Sequence, residues 1–84
     1  MKDGWIQRHG MRYPLPIYEK VVKRSGFLGL AIIVTDLIPF RYKCYVAAGY
    51  KVPDEYEKIV WGFGASRAKK WCESKLEEGK ECQN

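Results

Sequence analysis

The chain has 84 residues and a net charge of +5, from 15 Lys and Arg against 10 Asp and Glu, and 46% of its residues are hydrophobic. That length holds one small core and excludes a second domain, since a chain of this size buries roughly 60 to 65% of its unfolded surface. The composition lies away from the low-hydrophobicity, high-charge corner of disordered chains, and the longest apolar stretch, 27–34, is far short of the roughly 20 residues of a membrane-spanning helix.

Residues 1–15 are expected to form an N-terminal arm or edge strand. Trp5-Ile6-Gln7-Arg8 is strand-like, but Gly10 and Pro14-Leu15-Pro16 interrupt it, because proline offers no amide donor and constrains its predecessor. Beyond Pro16, the apolar Ile17, Tyr18, Val21 and Val22 recur at helical spacing, with Glu19, Lys20, Lys23 and Arg24 opposite. Pro16 suits a first helical turn and Gly26 a C-terminal cap, so a short N-terminal helix is predicted. A strand turning at Ser25-Gly26 is the rival, since Val21-Val22 also favours β structure.

The stretch 27–48 is the centre of the chain. Two apolar runs, 27–35 and 40–48, flank the turn-like Asp36-Leu37-Ile38-Pro39 and read as a hairpin. In the second run Phe40, Tyr42, Cys44 and Val46 take one face and Arg41, Lys43 and Tyr45 the other. Leu28, Leu30, Ile32 and Val34 are expected to join Phe40, Tyr42, Cys44 and Val46 in a core beneath Trp71 and Leu76. A Gly and Pro loop follows at 49–54, then a third alternating strand at 55–63. Ser66 offers an N-cap for a helix through about Glu78, closed by Gly79. Its face of Ala65, Ala68, Trp71, Cys72 and Leu76 would lie on the sheet, while Arg67, Lys69, Lys70, Glu73, Ser74 and Glu77 meet water, with Lys69 and Glu73 spaced for an ion pair. The expected fold is α+β: a small three- to four-stranded antiparallel sheet, a C-terminal helix on one face and a short N-terminal helix, forming one domain over 16–79 with a tail at 80–84.

The charge excess is concentrated in residues 1–24, which carry six cations against two carboxylates, whereas 51–84 is balanced. Such an excess favours acidic partners through a long-range field, or else serves solubility. Cys44, Cys72 and Cys82 form an odd set without a C-x-x-C pair, and residues 1–5 lack the apolar run of a secretory signal. Free thiols in the cytoplasm are therefore expected, with no membrane partner.

No catalytic group and no cofactor is predicted. His9 is the only histidine and has no Asp or Cys nearby in sequence, and Cys44 falls on an inward strand face where a thiol acts as a small hydrophobe. A zinc site from His9, Cys44, Cys72 and Cys82 would lack the paired short spacings of structural zinc sites. Gly62-Phe63-Gly64-Ala65-Ser66 has neither dinucleotide-binding nor P-loop spacing, so its glycines serve the strand-to-helix turn. The candidate surface is instead the uncovered sheet face, with Arg41, Lys43 and Tyr45 on one strand, Tyr56 and Lys58 on its neighbour, and Arg8, Arg12 and Tyr13 from the arm. Such rings can stack on bases and such cations can neutralise phosphates, although the same mixture also makes an ordinary solvated sheet face. Leu37 and Ile38, two aliphatics at a loop tip, are a possible apolar anchor for a protein.

The run Ile59-Val60-Trp61-Gly62-Phe63-Gly64-Ala65-Ser66-Arg67-Ala68-Lys69-Lys70-Trp71 resembles the close of the three-stranded DNA-binding arms of phage integrases, whose sheet enters the major groove. The layout is also similar to that of small inhibitor and adaptor proteins, including phage anti-defence proteins. The favoured expectation is a non-enzymatic protein that docks on a protein or ribonucleoprotein with an acidic surface, as an inhibitor or adaptor. The alternative is a basic DNA- or RNA-binding module.

Overall fold

A computed structural model describes residues 4–9 and 14–81, with side chains through Gly79. Five strands and one helix follow one another: β1 (Ile6–His9), β2 (Pro16–Arg24), β3 (Phe27–Thr35), β4 (Arg41–Gly49), β5 (Asp54–Trp61) and α1 (Ser66–Glu81). The strands form one antiparallel sheet in sequence order. Antiparallel sheet and C-terminal helix agree with the expected α+β class, whereas the sheet has five strands, not three to four, and among the described residues there is no N-terminal helix.

The segment expected to be that helix is β2. A nine-residue helix would satisfy few of its own backbone groups, while β2 pairs along its length with β3, from Ile17 opposite Val34 to Arg24 opposite Phe27. Ser25 and Gly26 make the two-residue turn, both at positive φ (46° and 85°), as the twist of a tight hairpin requires. β1 adds the fifth strand, with Ile6 opposite Glu19 and Arg8 opposite Ile17.

The helix crosses β3, β4 and β5 on one face of the sheet. Beneath it lie Phe27, Ala31 and Ile33 of β3 and Cys44, Val46 and Ala48 of β4, closed from above by Ala68, Cys72 and Leu76. The expected β3 core set is therefore corrected: Leu28, Leu30, Ile32 and Val34 are on the opposite face. Both parities of β3 are apolar, and side-chain size decides between them. A Cβ on Gly29 would sit 2.7 Å from Leu76 Cδ2, and one on Gly79 would sit 2.8 Å from the Ala48 Cβ. Small residues beneath α1 let the two layers approach, which a row of leucines would prevent.

Gly79 is thus a close-contact residue inside a helix that runs to Glu81, and not its terminal cap. At the other end the Ala65 carbonyl accepts from the Lys69 amide (2.8 Å), so Ser66 is the first helical residue and Ala65 takes the capping position. Trp5 also belongs to the core. Its indole N–H donates to Glu73 at 2.9 Å, and Lys20 reaches the same carboxylate at 3.3 Å. Lys69, expected on the water-facing side of the helix, covers the ring of Tyr18 at 4.9 Å. Among the described residues no helix is long and apolar enough to cross a membrane.

Candidate functional site

In an antiparallel meander the exits of β3 and β5 fall at one end of the sheet, so the 36–40 and 62–65 connections meet. The Gly62 amide donates to the Phe40 carbonyl at 2.9 Å, tying the two loops together. These two connections and the end of β5 carry Leu37 (73% exposed), Phe40 (54%), Trp61 (54%) and Phe63 (95%), and Ile38 and Ile59 are exposed there too. The Phe40 and Phe63 rings meet edge to face at 5.1 Å, and the Arg41 guanidinium lies 5.9 Å from the Trp61 ring. Aromatic and aliphatic side chains thus face solvent at one end of the sheet, and the aromatic ones are of the type enriched at protein interfaces.

The loop under this cluster is firmly built. Asp36 accepts from Arg41 Nε at 2.6 Å and, through its other oxygen, from the Ile38 amide at 3.4 Å. The Arg41 bond, together with the charge and backbone donors around it, holds the Asp36 carboxyl below its ordinary range. Phe40 sits at φ 66°, a left-handed conformation that a bulky side chain rarely adopts. Sequence periodicity places Phe40 in the core and Phe63 at the end of a strand. The strands in fact run from Arg41 and to Trp61, which leaves both rings on loops. The available signal was local: a Phe after Pro39 and another between Gly62 and Gly64 lie in turn contexts with no regular face to bury.

The expected basic face is divided by the register. Arg41 is opposite Trp61, Lys43 opposite Ile59 and Tyr45 opposite Glu57, so these share the uncovered face with Arg8. Tyr56 and Lys58 are opposite Val46 and Cys44 and therefore lie on the helix side, where Tyr56 packs on the core and Lys75 approaches its ring at 5.2 Å. Alternation reveals two faces of β5 but not which one meets the helix, because Tyr56 and Val60 are as apolar as Ile59 and Trp61. Arg12 and Tyr13 lie outside the described residues. Two of the cations that share the open face are engaged with carboxylates, Arg8 with Glu19 at 3.1 Å and Arg41 with Asp36. Its middle is apolar, with a shallow groove of about 270 Å³ running past Leu30, Ile32, Tyr45 and Glu57.

Cys44 and Cys72 are both buried and share a thiol hydrogen bond, which together with burial raises the Cys72 pKa and keeps that thiol neutral. His9 is exposed on β1, and Cys82 lies outside the described residues. A scan against protein-family models finds no match, and searches of curated proteins and of solved structures find none either.

Proposed function

We propose that this is a non-enzymatic docking protein, an inhibitor or adaptor, that uses the aromatic end of its sheet to hold a protein partner with an acidic surface. The observation that carries this reading is the exposure of Leu37, Phe40 and Phe63 on two tied loops and of Trp61 at the adjoining end of β5. Exposed rings of this kind cost solubility and stabilise nothing beneath them, so a binding role is the physical reason to keep them there. Loop strain at Phe40 is of the sort found at binding sites, where it presets a conformation. Lys43 stands beside the cluster, opposite Ile59, and Arg67 lies against Gly62. With the net charge of +5, these cations favour an acidic partner face and steer its approach.

The nucleic-acid alternative has less to draw on. Arg8 and Arg41 are ion-paired, Tyr56 and Lys58 face the helix side, and Glu55 and Glu57 stand along β5. Capture from the native host's lysate, with and without nuclease, separates the two. A specific protein retained after nuclease treatment and lost with Leu37→Asp supports the proposal. Capture that nuclease abolishes, or that Leu37→Asp leaves intact, overturns it.

A further inference from the structure

Cys44 of β4 and Cys72 of α1 meet across the core, and both are fully buried. Among the described residues the core holds no buried polar or charged side chain, so these two thiols are its only nucleophilic groups. They share a hydrogen bond that joins sheet to helix, with Cys72 donating and Cys44 accepting. That bond, and then the charge of Lys58 opposite Cys44 in the register, lower the Cys44 pKa against the effect of burial. The pair is thus divided into a thiol disposed to ionise and a partner that stays protonated.

The two layers approach closely along this line. Ala48, four residues further along β4, lies under Gly79, seven residues further along α1, where a Cβ on the glycine would sit 2.8 Å from the Ala48 Cβ. Four strand residues rise about 13 Å and seven helical residues about 10.5 Å, so the two pairs fall at matching levels of strand and helix. Ala68, one turn before Cys72, is small and fully buried. A disulfide spans Cα atoms about 4.4 to 6.8 Å apart, a separation that small residues between the layers favour. Thiols already in hydrogen-bond contact reach the covalent distance, about 2.05 Å, by side-chain rotation and a small adjustment of the layers.

We propose that Cys44 and Cys72 are a redox site, a dithiol that an organic disulfide such as glutathione disulfide converts to a Cys44–Cys72 bridge clamping α1 to the sheet. Both sulfurs are shielded while the helix is seated, so exchange begins when α1, held on the sheet by side-chain contacts alone, lifts from it. The Cys44 thiolate attacks one sulfur of the organic disulfide, whose S–S bond breaks to release one thiol, and Cys72 then attacks the mixed disulfide and releases the second. The protein gives up two electrons and two protons, and the oxidant becomes two thiols. This goes beyond the docking function and is independent of it, since neither cysteine lies at the aromatic end.

Equilibrated in glutathione redox buffer, the full chain is expected to lose two hydrogens by intact mass. Peptide mapping is expected to join Cys44 to Cys72 and not to Cys82, and the oxidised chain to melt at least about 8 °C higher. Cys82→Ser leaves this pair as the only thiols. In that variant the equilibrium constant for oxidation is expected to be about tenfold or more larger in the folded protein than in concentrated urea, because a bridge that fits the fold stabilises it by the same factor. A bridge formed mainly through Cys82, or a constant no larger in the folded protein than in urea, overturns the proposal.

Discussion

Asp36 and Gly79 show how single residues set the geometry of the two ends. Asp36 closes its loop as a carboxylate, accepting from Arg41 at 2.6 Å, and its folded pKa lies below the ordinary 3.8. The linkage has a definite sign: a carboxyl that is more acidic when folded stabilises the fold above its unfolded pKa, and that contribution is lost as pH falls through the folded value. The melting temperature is therefore expected to fall as pH drops below about 4, and Asp36→Asn to flatten that part of the profile while lowering stability at pH 7. Gly79 tests the packing of helix on sheet. Alanine at an open helical position stabilises by about 1 kcal/mol relative to glycine, but here its Cβ would come 2.8 Å from the Ala48 Cβ. Gly79→Ala is expected to destabilise by about 1 to 3 kcal/mol in a urea titration; a gain would mean that the layers are not in contact there.

Among the elements, alternation was readable from the sequence and parity was not. The central hairpin, the 36–39 turn, the last strand and the buried face of α1 all follow from periodicity and turn residues. The choice of face in β3 does not, because Leu28, Leu30 and Ile32 are as apolar as Phe27, Ala31 and Ile33, and only the approach of α1 to Gly29 and Ala31 breaks the tie. β2 was obscured for a related reason. Its apolar residues fit a helical stripe, and it is pairing with β1 on one side and β3 on the other that holds it extended. The N-terminal segment was underestimated in the same way. Trp5 is buried against the helix and bonded to Glu73, so Trp5→Ala is expected to cost about 3 to 5 kcal/mol, much of the stability of a chain this size, in chemical denaturation. Trp5→Phe, which keeps most of the ring but not the N–H, is expected to cost about 1 to 2 kcal/mol.

At the scale of the whole molecule, one helix covers one face of a five-stranded sheet and leaves two surfaces of different character. The open face has an apolar centre around Leu30 and Ile32, with charges of both signs about it. The end of the sheet is aromatic, with basic side chains beside it. Only part of that end was legible in advance: Leu37 and Ile38 are apolar residues in a polar turn, whereas the exposure of Phe40, Trp61 and Phe63 depends on where strands stop. The central claim is that the aromatic end binds protein, and Phe63 isolates it, because a side chain 95% exposed supports almost nothing in the fold. The most direct measurement is titration calorimetry of the partner retained after nuclease treatment, with the parent chain and with Phe63→Ala. The expected result is at least about a tenfold loss of affinity, with a melting temperature unchanged within about 2 °C. Equal affinity in the two proteins would contradict the claim.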